Sequence, residues 1–282
     1  MKRSKNFDSN KPLLYLVATP IGNLKEMSKR ALDVLNEMDV IAAEDTRNTF
    51  LLLSQYGIKK ELFSLREHNE IEASKHVIDL LKSGKKVAYV SDAGYPGISD
   101  PGYLLVKQVL ENDINVSTIC GSSAFINALV ASGLPTDHFY FYGFLPRKGN
   151  EAKKELEEML SRKETLIFYE SPHHIKETIE LMELVFHERR AVIARELTKI
   201  NEEFIRGTLP ELKELDFITL KGEMVVLVEG NQNEETEITD DDIIARLKFI
   251  LSKGVSKKVA TEIVTDELKI GKNRVYKLAQ DL

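Results

Sequence analysis

Short runs of consecutive apolar residues alternate with longer segments of helical periodicity along most of this chain, and that alternation restricts the fold more than any other feature. Leu13 to Ala18, Val40 to Ala43, Lys86 to Val90 and Val116 to Ile119 read as strands. They lack the apolar–polar alternation of a sheet with one wet face, so they read as buried, parallel strands covered by helices. Between them, Ser28 to Asn36 carries Ala31, Leu32 and Leu35 on one helical face. Glu70 to Ser83 carries Val77, Ile78 and Leu81, with Gly84 at the C′ position. Thr46 or Asn48 can cap a further helix running to about Leu53. Asp100 and Pro101 read as N-cap and N1 of a helix ending near Asn112. Gly121-Ser122-Ser123 turns into a helix bearing Ile126, Leu129 and Val130. The expected class is α/β.

The second half keeps the alternation with a different texture. Phe139 to Phe144 is aromatic and alternates poorly, and Asn150 to Arg162 is a highly charged helix. Thr165 to Tyr169 and Ala191 to Ala194 read as strands around a helix from Pro172 to Phe186, with Glu170-Ser171-Pro172 as an N-cap and Pro at N1. Phe204 to Thr208 and Met224 to Val228 complete a second sheet. A polar, acidic linker follows from Gly230, and then three short helices, roughly Asp240–Leu251, Ser256–Thr265 and Asn273–Gln280. The expected division is 1–121, 122–232 and 233–282.

The 282 residues carry a net charge of −6, which by itself argues against nucleic acid. The charge is uneven, however. Arg246 to Lys277 holds nine basic residues against three acidic ones, while Glu234 to Asp242 holds six acidic residues and no basic one. Such a basic tail suits a polyanionic partner. No run approaches the ~18 apolar residues of a membrane span, and no apolar leader follows the basic N-terminus, so a cytoplasmic enzyme is expected. Cys120 is the sole cysteine, which excludes an internal disulfide and a Cys/His zinc site. His173 and His174 are adjacent and would point apart on a helix, so no metal is expected.

Chemistry concentrates where strands end. Ser91 to Gly102 packs three glycines and two prolines into twelve residues, offering backbone that a ligand can approach closely. Thr19–Gly22, Gly121–Ala124, Tyr169–Ser171 and Ala194–Glu196 are four more polar or glycine-bearing loops at strand ends. Most precede helix N-termini, whose N–H groups are unpaired. Ligands of open α/β sheets bind at this edge. One shared ligand accounts for all five loops.

The motifs VATPIGNL, AAEDTRNT, VSDAGYPGISDPG, CGSSA, FYGFLPRKG, FYESPHHI, ARELTKINEEFIRGTL and KGEMVVLVEG follow in order from Leu13 to Gly230. Together they resemble the RsmI family of 16S rRNA (cytidine-2′-O)-methyltransferases, among the tetrapyrrole-methylase-like, class III S-adenosylmethionine enzymes. The C-terminal stretches from Gly254 to Lys258 and from Asn273 to Tyr276 also resemble that family's helical tail. The resemblance implies two α/β domains of the tetrapyrrole methylase type with a cofactor cleft between them, a small C-terminal helical domain, and usually a homodimer. It implies S-adenosyl-L-methionine as methyl donor and, as substrate, a cytidine of the decoding region (cytidine 1402) of 16S rRNA in the small ribosomal subunit.

Carried onto this sequence, the resemblance places the donor against Pro20, Ile21 and Gly22, then Asp92, Ala93, Gly94, Gly97 and Ile98, and Ser122, Ser123 and Ala124. In the second domain it adds Tyr169, Glu170, Ala194, Arg195, Gly222, Glu223 and Met224. The central loop reads Ser-Asp-Ala-Gly where tetrapyrrole methylases read Gly-Asp-Pro, and it is longer. A ribose hydroxyl is a poor nucleophile that a base or cation should assist. Candidates are Glu44, Asp45 and Arg47 foremost, with Asp100, Glu170 and Arg195 behind them. Arg147, Lys148, Lys257, Lys258, Lys272 and Arg274 are the candidates for holding RNA. A tetrapyrrole C-methyltransferase sharing fold and donor is the alternative, and a non-catalytic RNA-binding protein a second.

Overall fold

The chain's structure, a computed structural model, describes residues 5–6, 11–232, 239–268, 270–280 and 282. Strands β1 (Leu13–Val17), β2 (Val40–Ala43), β3 (Glu61–Ser64), β4 (Val87–Val90) and β5 (Asn115–Ile119) form one sheet in the order β3-β2-β4-β1-β5, parallel throughout. Every residue of β2 and β4 is buried, because helices cover both faces. Helices α1 (Lys29–Glu37) and α2 (Thr46–Gln55) pack Ala31, Leu35 and Leu53 on one face. Helices α3 (Glu70–Lys82) and α4 (Tyr103–Glu111) pack Val77, Leu81, Leu105 and Val109 on the other. β4 therefore sends its connection to the face opposite those of its neighbours β1 and β2. That reversal opens a crevice at its carboxyl end.

Edge strand β3 was not expected, since Glu61-Leu62-Phe63-Ser64 is nowhere fully buried and leaves no apolar run to read. The start of α4 also differs from expectation. The helix begins at Tyr103 with Gly102 as N-cap, and Asp100 does not cap it. Glu70 does so instead, its Oε1 accepting from the N–H groups of Gly102 (2.9 Å) and Leu105 (3.1 Å). Likewise Asp45, rather than Thr46 or Asn48, is the N-cap of α2.

Helix α5 (Ala124–Ser132) leaves the first sheet and packs on the second. That sheet comprises β6 (Phe139–Phe144), β7 (Thr165–Glu170), β8 (Arg190–Arg195), β9 (Glu203–Thr208) and β10 (Met224–Val228), in the order β6-β7-β10-β8-β9. β6 and β7 are parallel and the other pairs antiparallel. Ala128 and Leu129 of α5 cover one face against Ile167, Val192, Val225 and Leu227. On the other face lie α6 (Gly149–Glu158), α7 (Ile175–Phe186) and α8 (Leu209–Lys213). α7 starts later than expected: Ser171 O accepts from His174 N (3.2 Å) and Ile175 N (3.1 Å), so Pro172 to His174 form a turn before the helix.

Residues 1–231 form one compact unit and 232–282 another, so the expected boundary at 121 falls inside the first. The second unit holds α9 (Asp240–Leu251), α10 (Lys257–Leu268) and α11 (Lys272–Gln280), closed around Ile243, Leu247, Ala260, Val264, Val275 and Ala279. Thr239 and Asp242 form a capping box at α9, and three aspartates in its first turn complement the helix dipole. The acidic linker expected before it lies, over 233–238, outside the described residues. Among the described residues no helix is long and apolar enough to cross a membrane.

Candidate functional site

A cleft of about 430 Å³ opens at the carboxyl end of β4, between the two sheets of the first unit. Its floor is set by backbone pairing. Thr19 N donates to Gly94 O (2.9 Å) and Gly94 N returns the bond to Thr19 O (3.1 Å), tying the exit of β1 to the long loop after β4. Gly94 has φ +75°, and a side chain there would reach Ile21 Cγ2 and Ser122 O. Three of the five strand-end loops thus meet at one glycine. Tyr95 extends the junction, its hydroxyl accepting from Gly121 N at 3.2 Å.

The wall from the first sheet is acidic, and most of its carboxylates are already engaged. Glu44 accepts from Asp92 N (3.2 Å). Asp92 accepts from Asp45 N (3.2 Å) and from Asn48 Nδ2 (2.8 Å). Asp45 caps α2 and binds both Arg47 (2.9 Å) and Arg66 (3.1 Å), which hold its carboxyl well below the usual carboxylate range. Burial, aided by the neighbouring Asp92 carboxylate, raises Glu44. Asp100, released from capping, lies in the cleft. Burial and the charges of Glu44 and Asp92 push it up to about 7.

The second sheet supplies an apolar and aromatic wall of Phe144, Tyr169, Met224, Val225 and Leu197. Burial pushes the Tyr169 phenol up to about 12. Glu170 is only 6% exposed and accepts from Ser171 N (2.7 Å) and Thr178 Oγ1 (2.6 Å). That anchored carboxylate lies 3.9 Å from Arg147 Nη1 and holds the guanidinium at the cleft. Six carboxylates line the cleft (Glu44, Asp92, Asp100, Glu170, Glu196 and Glu223) against two cations, Arg147 and Lys199. The N-terminus of α5 also opens there, with Ser123 as an N-cap whose side chain makes no capping bond. Apolar walls, surplus negative charge and one helix N-terminus suit an amphipathic ligand with a cationic centre and an anionic end.

Of the residues expected to contact a cofactor, Ile21, Asp92, Ala93, Gly94, Ile98, Ser123, Ala124, Tyr169, Glu170, Glu223 and Met224 line this cleft, and so do Glu44 and Arg147. The others lie behind its lining. Gly22 packs against Leu197 to Lys199, where a Cβ would come within 2.7 Å of Lys199 Cγ. Gly97 fastens the long loop through its N–H to Pro101 O (3.1 Å). Ser122 donates to Glu26 (2.8 Å), and Ala194 is buried against α5 in the sheet core. Arg195 is bound to Glu203 (2.6 Å) and Lys221 O (3.1 Å). Gly222, at φ +84°, makes room for the Glu196 side chain, and Pro20 is half-buried next to the Thr19 bridge. Asp45 and Arg47 pair with each other rather than lining the cavity.

Lys148 pairs with Glu151 (3.0 Å). In the second unit, Lys272 and Arg274 pair with Glu262 and Asp240, whereas Lys257 and Lys258 are exposed in the first turn of α10. Sequence reasoning missed Phe144, Leu197 and Lys199 as lining residues. Each sits just beyond or at a strand end, which was the available signal.

A family model described as Tetrapyrrole (Corrin/Porphyrin) Methylases matches residues 13–213. A protein of Streptococcus pyogenes serotype M3 named Ribosomal RNA small subunit methyltransferase I is 43% identical, with 100% of both chains covered. The Bacillus subtilis protein of the same name is 42% identical over 98% of this chain and 97% of its own. A crystal structure of diphthine synthase shares the fold, with a TM-score of 0.61 at 17% identity over 79% of this chain and 91% of that one. The family model spans the strands around the cleft except β10, and the full-length relatives extend through β10 and the helical tail: the chain belongs to the ribosomal RNA small subunit methyltransferase I family, on the tetrapyrrole methylase fold.

Proposed function

We propose that this chain transfers the methyl group of S-adenosyl-L-methionine to the 2′-hydroxyl of a cytidine ribose in the decoding region of 16S rRNA, at cytidine 1402. The observation that carries the reading is likeness to relatives named for ribosomal RNA methylation along the whole chain, basic tail included. The donor supplies an activated methyl on a sulfonium. The cleft fits such a ligand: carboxylates for its positive charge, the open N-terminus of α5 for its carboxylate, and Ile21, Ile98 and Met224 for its apolar parts. In-line transfer is chiefly a positioning problem, and the Thr19–Gly94 bridge gives the floor of the cleft its rigidity.

The substrate in this reading is the assembled small subunit, and the enzyme works without a metal as a cytoplasmic homodimer. Arg147 lies at the cleft, suited to a backbone phosphate. Lys257 and Lys258 oppose the dipole of α10, an arrangement that a bound phosphate would relieve.

Mapping ribose methylation in 16S rRNA from cells with and without this protein tests the assignment directly. A methyl group at the decoding-site cytidine should appear only with the protein present. Transfer to a precorrin but not to undermethylated small subunits would favour the tetrapyrrole alternative. Calorimetry with the donor and with S-adenosylhomocysteine tests the cleft, and absence of binding would remove the enzyme reading. Deleting residues 240–282 should weaken methylation; unchanged methylation would remove the tail from the account.

A further inference from the structure

The long loop after β4 fixes Asp100 from both sides. Gly97 N donates to Pro101 O (3.1 Å), Tyr89 Oη donates to the same carbonyl (2.9 Å), and Ile98 N donates to Tyr95 O (3.3 Å). Between these ties Ser99 adopts φ +61°, a left-handed conformation that costs a non-glycine residue free energy and persists only where its surroundings impose it. Its hydroxyl packs so closely on Gly143 of β6 that a Cβ there would sit 3.3 Å away. The loop tip is thus wedged against the second sheet, and the residue after the strained serine enters the cleft.

The neighbouring carboxylates are otherwise employed. Asp92 is bonded through both oxygens, Glu170 through both, Glu44 to the Asp92 amide and Glu196 to Lys199. Glu223 stands exposed to water. Asp100 is relieved of helix capping by Glu70, and the nearby Ser91 hydroxyl favours its ionised form.

We propose that Asp100 accepts the 2′-hydroxyl proton during methyl transfer, an assignment that rests on the ribose-methylation reading above. As the ribose oxygen forms its bond to the methyl carbon, the carbon–sulfur bond breaks and its electron pair stays on sulfur. The hydroxyl proton passes to the Asp100 carboxylate and then to solvent. Products are the methylated ribose, a neutral thioether and an unchanged enzyme. Charge balances, since the positive charge lost at sulfur leaves as that proton.

Asp100 suits the step electrostatically. Burial and the charges of Glu44, Asp92 and Glu223 raise its affinity for a proton to about 7, while the Ser91 hydroxyl opposes them. The phenols of Tyr89 and Tyr169 share this field. A base is most effective when its proton affinity lies near the working pH. A sulfonium bound nearby would favour the ionised carboxylate.

The test is single-turnover methylation of small subunits across pH 5 to 9 by donor-loaded enzyme, beside calorimetric donor binding. The wild type should gain rate tenfold per pH unit up to an inflection at or below about 7. Asp100→Asn should bind donor within a few-fold of wild type, yet lose about 10²- to 10⁴-fold in rate together with the inflection. Ser91→Ala should move the inflection upward, which a purely structural role would not do. The carboxyl ¹³C resonance lost in Asp100→Asn should titrate in the wild type near that inflection, independent of turnover. Asp100→Asn with wild-type rate and pH profile would overturn the proposal. If that variant fails to bind donor, the Ser91→Ala profile decides, and an unmoved inflection overturns it. Wild-type enzyme that binds no donor would instead remove the parent reading.

Discussion

Glu70 and Gly102, 32 residues apart in sequence, are joined by a hydrogen bond of 2.9 Å from the Gly102 amide to the Glu70 carboxylate. The same oxygen accepts from Leu105 N at 3.1 Å, so one buried side chain at the start of α3 caps α4. Gly102 has no side chain and takes φ +140°, so α4 has no local cap of its own. Capping at a distance has a functional consequence. It fastens the end of the long loop and leaves the acid at position 100 available to the cleft.

Replacing Glu70 by Ala leaves two buried N–H groups without a charged acceptor. Hydrogen bonds to charged groups contribute about 1.5–3 kcal/mol each, so a loss of at least about 3 kcal/mol is expected. For a unit of this size the melting temperature should fall roughly 6–12 °C. Donor affinity should fall with it, because the loop between Gly94 and Gly102 loses its anchor. Calorimetry and thermal unfolding check both. Unchanged values would show that the cap does not hold the loop.

Gly22 separates positioning from contact. A Cβ there would meet Lys199 Cγ at 2.7 Å, Thr198 Oγ1 at 2.9 Å and Leu197 O at 3.0 Å. The opposing loop cannot retreat easily, since Glu196 and Thr198 already hold positive φ. Gly22→Ala should therefore destabilise the protein by about 1–3 kcal/mol through overpacking and weaken donor binding in parallel. A variant that weakens donor binding at unchanged stability would instead make Gly22 a direct contact.

How much of this was legible in the sequence depended on whether the signal was local. The buried strands β2 and β4 announce themselves as unbroken apolar runs, and Gly84, expected at a helix C′ position, takes the left-handed φ such a position needs. Edge strand β3 gave no such run, being half-buried or exposed throughout. Asp100-Pro101 carries every local mark of a helix start, and the long-range Glu70 carboxylate overrides it. The same limit applied at the site. Strand-end loops were readable, and eleven of the residues expected to touch a cofactor line the cleft. Arg195 and Gly22 stood in the right loops, but contacts with Glu203 and Lys199, set by tertiary packing, turn them to other tasks.

The environment of Asp100 also predicts a pH dependence of stability. Its folded-state value of about 7 lies above the ordinary 3.8, so folding favours the protonated acid. The corresponding stability is fully present below about pH 4 and is lost as pH rises toward 7 and beyond. The cleft is open to water, which screens the effect to about 1–2 kcal/mol, below the face value of the shift. Asp100→Asn should accordingly melt a few degrees above wild type at pH 8, with the difference vanishing near pH 4. Scanning calorimetry of ligand-free protein at both pH values checks this. An Asn variant less stable than wild type at pH 8 would mean that the carboxylate is held favourably.

Arg147 and Lys148 are neighbours in sequence with separate surroundings, which allows a paired test. Arg147 lines the cleft, 3.9 Å from Glu170, whereas Lys148 pairs with Glu151 at 3.0 Å on the surface. If Arg147 meets a phosphate of the substrate, Arg147→Ala should raise KM for the small subunit about tenfold, the equivalent of ~1.4 kcal/mol. It should also reduce the salt dependence of binding by somewhat under one unit of log–log slope. Donor affinity should change less than KM, since Glu170 keeps its bonds from Ser171 N and Thr178 Oγ1 without the guanidinium. Lys148→Ala should change KM by less than twofold, because an exposed pair already occupies the amine. Equal effects of the two substitutions would replace a specific contact at the cleft with general attraction by a basic turn.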